Sequence, residues 1–358
     1  MLALAGQTTA PASAQEVTSG NDNIRLTLSG QINRGLLHVD DGSNTALLNV
    51  DNDGSSTRVR FVGVGNYNEE IAVGTVFEVQ LESNSTGNIK IDGSAPGEAD
   101  GFTKRNLEIY GNHSRFGRIW LGHGSTASDG TSEADLSGTG VIGYSSVADM
   151  AGGIEFGGLG VGPQINEVFS NLDGLSRDDR IRYDTPNLSG FTVSASYADS
   201  RKSDIALRFA GDVGAGLKLV GAVAYSINGN IDSQVNGSLS LLHESGFNVT
   251  AAAGAQDLQA GAVNPNRDPS FWYAKLGYLW GGGLGDTAIG VDYASAEEVQ
   301  DVVAATGDEF TSYGVFVVQS IDRIATDLYL GARNHKLDRV GQNYDDIFAV
   351  LGGARIKF

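Results

Sequence analysis

The feature that most constrains this chain is a two-residue alternation of apolar and polar side chains, which recurs from residue 24 onward. Residues 24–33, 77–82 and 191–197 all alternate in this way. Successive side chains of a β-strand point to opposite faces, so each stretch predicts a strand with one apolar and one polar face. The sequence contains no apolar run of about 18 residues, so it predicts no transmembrane helix.

Residues 272–280 add an aromatic pattern to this alternation. The even positions form an apolar face, with Trp272 at one end and Tyr278 and Trp280 at the other. A strand of this length, tilted as in a membrane barrel, rises roughly 20 Å, which is close to the spacing of the two aromatic girdles of outer-membrane barrels. A strand in a soluble sandwich could carry the same residues.

The arrangement of the alternating segments favours a transmembrane barrel. Short connections such as 188–190, 213–215 and 244–246 alternate with long ones such as 39–54, 84–102, 256–269 and 296–308. Up-and-down membrane barrels have short turns at one rim and long loops at the other. We therefore predict an all-β, antiparallel transmembrane barrel of about 16 strands. The predicted strands are 24–38, 55–66, 73–83, 103–111, 117–124, 179–186, 190–198, 204–211, 216–226, 235–243, 246–255, 270–280, 286–295, 309–319, 324–336 and 346–358.

Composition excludes several classes of protein. Lys and Arg number 24 against 43 Asp and Glu, a net charge of −19, which argues against nucleic acid as a partner. Cysteine is absent, so disulfides, thiolate metal sites and cysteine nucleophiles are excluded. We expect no cofactor and no metal site, although calcium binding by the Asp-rich segment 39–54 remains an alternative. A secreted calcium-binding β-roll is a further alternative, suggested by the single copy of Gly282-Gly283-Leu284-Gly285-Asp286.

An enzyme is not expected. The five histidines are scattered, and none lies near a recognisable nucleophile motif such as Gly-x-Ser-x-Gly. An outer-membrane β-barrel hydrolase remains the alternative from a different functional class.

The first residues predict an export signal. Residues 1–14 begin with a short apolar stretch and end in the small-x-small sequence Ala12-Ser13-Ala14. This predicts a partial signal peptide cleaved after Ala14, which leaves 15–358 as the barrel.

Several motifs along the chain resemble the general diffusion porins of Gram-negative outer membranes. They are Thr57-Arg58-Val59-Arg60-Phe61-Val62-Gly63, Arg105 to Gly111 followed by Phe116 to Gly122, Arg182-Tyr183-Asp184-Thr185-Pro186 with Gly190-Phe191, Glu155-Phe156-Gly157-Gly158 in the longest loop, and the C-terminal Phe358. The resemblance covers nearly the whole chain after residue 20. Two positions depart from it: Ile154 replaces a proline before the acidic motif, and His123 stands where many enteric porins have arginine.

The resemblance implies a function as well as a fold. It implies an outer-membrane channel for passive diffusion of small hydrophilic solutes and ions, surrounded by outer-membrane lipid and assembled as a homotrimer. It also implies that Phe358 is recognised by the outer-membrane insertion machinery. A substrate-specific outer-membrane channel is the closest alternative.

The resemblance further implies that the third loop, 125–178, folds into the barrel and narrows the pore. Its acids would face wall arginines and create a transverse field that sorts ions. The negative charge predicts a weak preference for cations, moderated by the arginines. The constriction residues that match family positions are Arg58, His123, Asp149 and Glu155. Arg60 joins them because it shares a strand face with Arg58, and Arg180 and Arg182 because they share one with the matched position Asp184.

Overall fold

The computed structural model describes residues 15–17, 20–96, 101–199, 201–229, 231–259, 262–265 and 267–358. The predicted signal segment 1–14 and its cleavage point lie outside the described residues. The strands are β1 (Gln15–Val17), β2 (Arg25–Asp40), β3 (Thr45–Asp51), β4 (Arg58–Asn66), β5 (Ile71–Leu81), β6 (Phe102–His113), β7 (Gly117–Ser125), β8 (Arg177–Asp184), β9 (Phe191–Ala198), β10 (Lys202–Asp212), β11 (Leu217–Asn228), β12 (Ile231–His243), β13 (Phe247–Leu258), β14 (Ser270–Gly281), β15 (Asp286–Glu297), β16 (Glu309–Ile321), β17 (Thr326–Asp338) and β18 (Ile347–Lys357).

These strands close into one antiparallel barrel, because the last strand, β18, pairs with β2. Both β3 and β4 pair with β2: β3 pairs with residues 34–40 and β4 pairs with residues 25–31. The two strands therefore share one position in the wall. The short β1 adds to the free edge of β2 beside residues 26–28. The barrel therefore has sixteen positions, which confirms the predicted fold class.

The single α-helix in the described residues is the short α1 (Ile165–Val168). Three-residue 3-10 helices lie at Asp53–Ser55, Val147–Asp149, Val303–Ala305 and Asp322–Ile324. No helix in the described part of the chain is both long enough and apolar enough to cross a membrane.

The two faces of the wall have opposite chemistry. On β9, Phe191, Val193 and Tyr197 are exposed, whereas the alternate residues Thr192 and Ser194 are buried. Exposed apolar side chains alternate with enclosed ones in β14 to β17 as well, where the enclosed face mixes polar residues with the apolar ones on which loop 3 packs. An apolar exterior and a polar interior are the arrangement of a barrel that faces lipid.

Two belts of aromatic side chains bound this apolar exterior. Along β14, Trp272 lies near one rim, and Tyr278 and Trp280 lie near the other, on the outward face that the alternation predicts. The rim of short turns carries Phe116, Tyr183, Phe191, Phe247 and Trp280, and the rim of long loops carries Phe102, Tyr197, Tyr225, Trp272, Tyr313 and Phe348. Because short turns are periplasmic in such barrels, the long loops face the cell exterior.

The predicted segments agree with the observed strands to within a few residues, with one addition. The segment 39–54, predicted as an open loop, contains β3, which continues the wall above β4. Asn52 and the short 3-10 helix after it separate the two strands, and Gly54 N–H donates to the Asn52 side chain over 3.0 Å.

The chain segment between β7 and β8, residues 126–176, lies inside the barrel and is called loop 3 here. Most of its apolar residues are buried; Ile154, Phe156 and Ile165 are fully enclosed, and the cluster packs on inward-facing wall residues such as Phe271 and Phe310. The largest apolar cluster in the described residues is therefore the contact between loop 3 and the wall.

Residues 83–91, after β5, support loop 3 from the side and are called the wedge here. They run beside the free edge of β3, where Asp51 N–H donates to Asn84 O over 3.1 Å. Gly152 N–H of loop 3 donates to Thr86 O over 2.9 Å, and a Cβ on Gly153 would lie 2.3 Å from Asn88 O. Loop 3 therefore needs glycine where it contacts the wedge.

Candidate constriction site

Loop 3 is attached to the wall by hydrogen bonds and ion pairs at several points. At its start, Asp204 of β10 accepts from Ser128 N–H over 2.7 Å. Farther along, Lys275 of β14 is fully buried and donates to Asp135 over 2.5 Å and to Gly143 O over 2.9 Å. Near its middle, Met150 O lies 3.1 Å from the ring nitrogen Nε2 of the buried His335. These attachments keep the loop inside the barrel.

The predicted residues Arg180 and Arg182 of β8 point inward and hold the base of loop 3. Arg180 is buried, pairs with Glu108, and donates to Ser125 O over 3.0 Å. Arg182 donates to Thr126 O over 2.8 Å and to Asp184 over 2.8 Å. Arg180 therefore holds the end of β7, from which loop 3 leaves the wall, and Arg182 holds the first residue of the loop.

The predicted residues Arg58 and Arg60 of β4 face the lumen, together with Arg105 of β6. Arg60 and Arg105 both pair with Glu78 of β5, and the Arg105–Glu78 distance is 2.8 Å. Arg58 lies within electrostatic range of Arg105 and Arg60. Three arginines therefore share one carboxylate, which leaves this section of wall positively charged.

Glu133 of loop 3 provides the opposing negative charge. The loop on either side of it is fixed to β12, since Asn236 donates to Thr131 and Ser132, and Leu136 N–H donates to Ser240 over 2.9 Å. In a barrel of sixteen positions, β12 lies halfway round from β4. The loop segment that carries Glu133 is thus attached across the lumen from the arginines of β4.

The surroundings of Glu133 change its ionisation. Burial raises the pKa of Glu133 to about 7, nearby Asp129 adds to the rise, and Asn171, Arg177 and Arg105 oppose it. Asn171 donates to the Glu133 carboxylate over 3.2 Å. A carboxyl group with this pKa changes charge near neutral pH.

The predicted acid Asp149 also lies on loop 3, but its nearest charged neighbour is an acid. It accepts hydrogen bonds from the Tyr144 hydroxyl and from Ser146 over 3.0 Å. Burial and the adjacent Asp53 raise the pKa of Asp149 well above its usual range. The structure therefore brings Asp149 to the break between β3 and β4, beside Asp53.

Glu82, just beyond the end of β5, is a further acid of this region. It accepts from Gln80 over 2.5 Å, and Gln80 in turn accepts from Arg105 over 2.5 Å. Burial raises the pKa of Glu82 to about 8, and Asp53 adds to the rise. Glu82 is not among the residues predicted from the sequence, although its place on the inward face with Glu78 and Gln80 follows from the alternation of 77–82.

The predicted acid Glu155 lies apart from the arginines of β4 and β6. It pairs with Lys90 of the wedge over 2.6 Å and accepts from Gly160 N–H. Burial alone would raise the pKa of Glu155, but the hydrogen bonds from Gly160 and Lys90 outweigh burial and lower it. Glu155 therefore joins loop 3 to the wedge.

His123 faces outward, contrary to its predicted place in the pore. It stands opposite Leu107 and Asp179 in the sheet, and Leu107 is an exposed, lipid-facing residue. Its ring nitrogen Nδ1 lies 3.7 Å from Asp179, which is exposed. The apolar residues Ile119 and Leu121 precede it on the same face, so the alternation already indicated this direction.

Metal binding finds no support in the described residues, where no cluster of three or more acidic or histidine side chains has a suitable arrangement. In the Asp-rich segment, Asp51 pairs with Arg34 over 2.6 Å, and Asp41 accepts from Ser43 N–H over 2.8 Å. Arg34 lies on the outward face of β2, and Asp51 neutralises its charge within the same chain.

Comparison with known proteins agrees with the barrel architecture described above. The sequence model of the Gram-negative porin family matches residues 1–339. The chain belongs to the Gram-negative porin family. No curated protein sequence matches it.

Solved structures share the fold of this porin at low sequence identity. An anion-selective porin from Comamonas acidovorans is 16% identical over 94% of this chain and 100% of its own, with a TM-score of 0.61. The outer-membrane channel DcaP of Acinetobacter baumannii is 12% identical over 96% and 100%, with a TM-score of 0.61. Salmonella typhi OmpF, in complex with daunomycin, is 12% identical over 96% and 100%, with a TM-score of 0.59.

Family and fold together give the function and its location. The protein is an outer-membrane porin of a Gram-negative bacterium, and its barrel forms a channel for passive diffusion. Its fold and family are those of a channel rather than an enzyme.

Proposed function

We propose that loop 3 and the wall form a charged constriction through which small hydrophilic solutes and ions diffuse without a catalytic step. The arginines Arg58, Arg60 and Arg105 form its positive side. Glu133 and Asp149 of loop 3 form its negative side. Opposed charges across a narrow, water-filled passage create a transverse field, which orients dipolar solutes and sorts ions.

One observation carries this proposal. The loop segment around Glu133 is attached to β12, halfway round the barrel from the arginines of β4. Lipid-facing arginine at the bilayer midplane would cost about 2–4 kcal/mol, so the inward direction of Arg58 and Arg60 is also the favourable one. Of the implied set, Arg180 and Arg182 are proposed to position loop 3 rather than to contact solutes.

The test is the reversal potential of the channel in a planar bilayer under a KCl gradient. We expect Glu133→Gln and Asp149→Asn, each alone, to shift the potential toward anion preference at pH 9, where both acids carry more charge. Arg58→Gln should shift it toward cations. Glu155→Gln provides a comparison, because Glu155 pairs with Lys90 and should change selectivity little.

Two results would overturn the proposed constriction. One is unchanged selectivity in both Glu133→Gln and Arg58→Gln. The other is a shift in Glu155→Gln as large as that in Glu133→Gln, which would move the constriction to the level of the wedge. A substrate-specific channel would instead show saturation of conductance by one class of solute.

We further propose that the porin assembles as a homotrimer and that Phe358 is recognised by the outer-membrane insertion machinery. Membership of the porin family supports both proposals, and the position of Phe358 where β18 pairs with β2 also supports the second. Deleting Phe358 should lower the amount of porin in the outer membrane while leaving the conductance of assembled channels unchanged. Normal amounts of the deleted form would contradict this role. Conductance that rises in three equal steps, together with a cross-linked trimer, would support the homotrimer.

A further inference from the structure

An arginine and two aromatic side chains line the lumen near its periplasmic mouth. Tyr110 of β6 and Trp120 of β7 stand opposite each other in the sheet, with ring centroids 4.7 Å apart. The Cζ atom of Arg118 lies 4.7 Å from the centre of the Tyr110 ring and 5.0 Å from that of Trp120. The guanidinium therefore covers part of both rings, and the three residues are called the aromatic platform here.

The alternation along β7 directs the aromatic platform into the lumen. Ile119 and Leu121 are exposed on the lipid-facing side, so Arg118 and Trp120 point inward. The turn between β6 and β7 is short and therefore periplasmic, and Arg118 is the second residue of β7. Trp120 stands opposite Arg182, which holds the first residue of loop 3. The platform thus lies between the base of loop 3 and the periplasmic mouth.

The wall fixes both rings of the aromatic platform. Trp120 Nε1 donates to Asp184 of β8 over 2.8 Å. Tyr110 lies against Gly74 of β5, because a Cβ on Gly74 would be only 2.3 Å from Tyr110 Cζ. Since the rings are already held, a solute that binds to them immobilises few additional groups, which favours binding.

Arg118 keeps hydrogen-bond donors for a solute. Its Nε donates to Asn112 over 3.2 Å. Within the described residues, its two terminal nitrogens have no hydrogen-bond partner, and they remain accessible to solvent. Asp184 stands opposite Arg118 in the sheet, but it accepts from Arg182 and Trp120 and is not within ion-pair distance of Arg118. A planar guanidinium with free donors matches the geometry of a carboxylate.

We propose that the aromatic platform is a binding subsite for small aromatic carboxylates that diffuse through the porin. Bidentate pairing with Arg118 places the carboxylate in the plane of the guanidinium. The ring of an aromatic carboxylate is conjugated with its carboxylate and lies in the same plane. The ring therefore extends the layer that the guanidinium begins and stacks on the uncovered parts of Tyr110 and Trp120.

This subsite names one class of solute for the proposed diffusion channel. It rests on an open lumen and not on the charges of the constriction. A non-aromatic carboxylate can form only the ion pair, and a neutral aromatic solute can form only the stacking contact. Binding stays weak enough for release, as passage through a channel requires.

The experiment measures the dissociation constant of benzoate for the intact porin in detergent, from the fluorescence of Trp120. The other two of the three tryptophans, Trp272 and Trp280, face lipid, so Trp272→Phe with Trp280→Phe leaves Trp120 as the sole reporter. Cyclohexanecarboxylate, which keeps the charge, and benzamide, which keeps the ring, are the control solutes. We expect benzoate to bind severalfold more tightly than either.

Variants of Arg118 separate the planar fork from its charge. Arg118→Gln removes both, and Arg118→Lys keeps only the charge. Each should weaken benzoate binding by about tenfold, because hydrogen bonds to a charged group are lost. Arg115→Gln is the matched control, since Arg115 is an exposed residue of the turn between β6 and β7, and its loss removes one charge from the same rim.

Tyr110→Leu keeps the test decisive if a variant of Arg118 does not fold. It should weaken benzoate binding severalfold and leave cyclohexanecarboxylate unaffected. Equal affinity of the parent for benzoate and cyclohexanecarboxylate, or parental benzoate affinity in Arg118→Gln or Arg118→Lys, would overturn the proposal. Glu133→Gln should bind benzoate as the parent does whatever its reversal potential, so failure of the constriction and failure of the subsite are separate results.

Discussion

At the scale of single residues, the lumen combines arginines whose charge is fixed with carboxyl groups whose charge depends on pH. Arg58, Arg60 and Arg105 stay protonated, since arginine does not lose its proton in the physiological range. Burial and neighbouring acids raise the pKa of Glu133 to about 7 and that of Glu82 to about 8. The negative charge of the constriction is therefore only partly developed at neutral pH and increases in alkaline solution.

The first prediction follows from this difference. Raising the pH from 6 to 9 should shift the reversal potential toward cation preference, because Glu133 and Glu82 lose their protons in that interval. In Glu133→Gln the shift should be clearly smaller. Glu309→Gln, which changes an exposed acid at the start of β16, is the control and should behave as the parent. A parent channel with pH-independent selectivity would refute the assignment.

The second prediction concerns the seam of the barrel. Phe358 continues the pairing of β18 with β2, since its N–H donates to Gly30 O over 3.0 Å. A Cβ on Gly30 would lie 2.6 Å from the Phe358 ring and 2.7 Å from Arg58 O, so Gly30→Ala should destabilise the barrel by about 1–3 kcal/mol.

Denaturant unfolding of the refolded porin in detergent measures this change. Gly111→Ala is the matched control, because Gly111 lies in β6 with open space where its Cβ would be. Equal stability of the two variants would show that the seam can accommodate a side chain at position 30.

At the scale of elements, the strands were predictable and the path of loop 3 was not. Strand alternation is local, so a window of about eight residues suffices to find it. The short β3 was missed because it shares one wall position with β4 and was hidden in a predicted loop. Loop 3 has no period, and its path depends on distant partners such as Asp204 and Lys275. The sequence could therefore identify acids in the loop without ranking Glu133 above Glu155.

The family resemblance had a similar limit. It identified Arg58, to which the alternation added Arg60, and both face the lumen, but it assigned His123 by position alone. The alternation of Ile119, Leu121 and His123 shows that all three share the outward face. Where a family motif and the local alternation disagree, the alternation decides direction, because a side chain cannot change face without a shift of register.

The third prediction tests the attachment of loop 3. In Lys275→Met the carboxylate of Asp135 loses its buried partner, and removal of one member of a buried pair typically costs about 3–5 kcal/mol. We expect lower stability and larger, noisier conductance, since the loop is less firmly held. Lys336→Met is the control, because Lys336 pairs with Asp338 on an exposed surface, where such pairs contribute about 0–1 kcal/mol. Conductance identical to that of the parent would mean that other contacts suffice to hold the loop.

At the scale of the whole molecule, the ionisation of the lumen also affects stability. A carboxyl group whose pKa is higher in the folded than in the unfolded state binds its proton more tightly when folded. It therefore stabilises the fold below its unfolded pKa of about 4.5, and this contribution is lost as the pH rises through the folded pKa. For Glu133 and Glu82 the loss extends to about 7 and about 8.

The fourth prediction is that the free energy of unfolding falls between pH 5 and pH 9. Unfolding by denaturant in detergent at a series of pH values should show the decline. The double variant Glu82→Gln with Glu133→Gln should show a flatter dependence, since neither amide titrates. A steeper or unchanged dependence in the double variant would place the responsible groups elsewhere.

The seam between β2 and β18 also has a consequence for how the chain reaches this state. It joins residues more than 300 positions apart, for example Asn33 and Arg355. The loss of chain entropy on bringing such distant residues together makes this pairing one of the last to form. Loop 3 must already lie inside the curved sheet when β2 and β18 pair, because a closed wall leaves little room for it to enter. Assembly should therefore pass through an open, curved sheet with protease-sensitive loop 3. Protection of residues 126–176 should arise no later than closure.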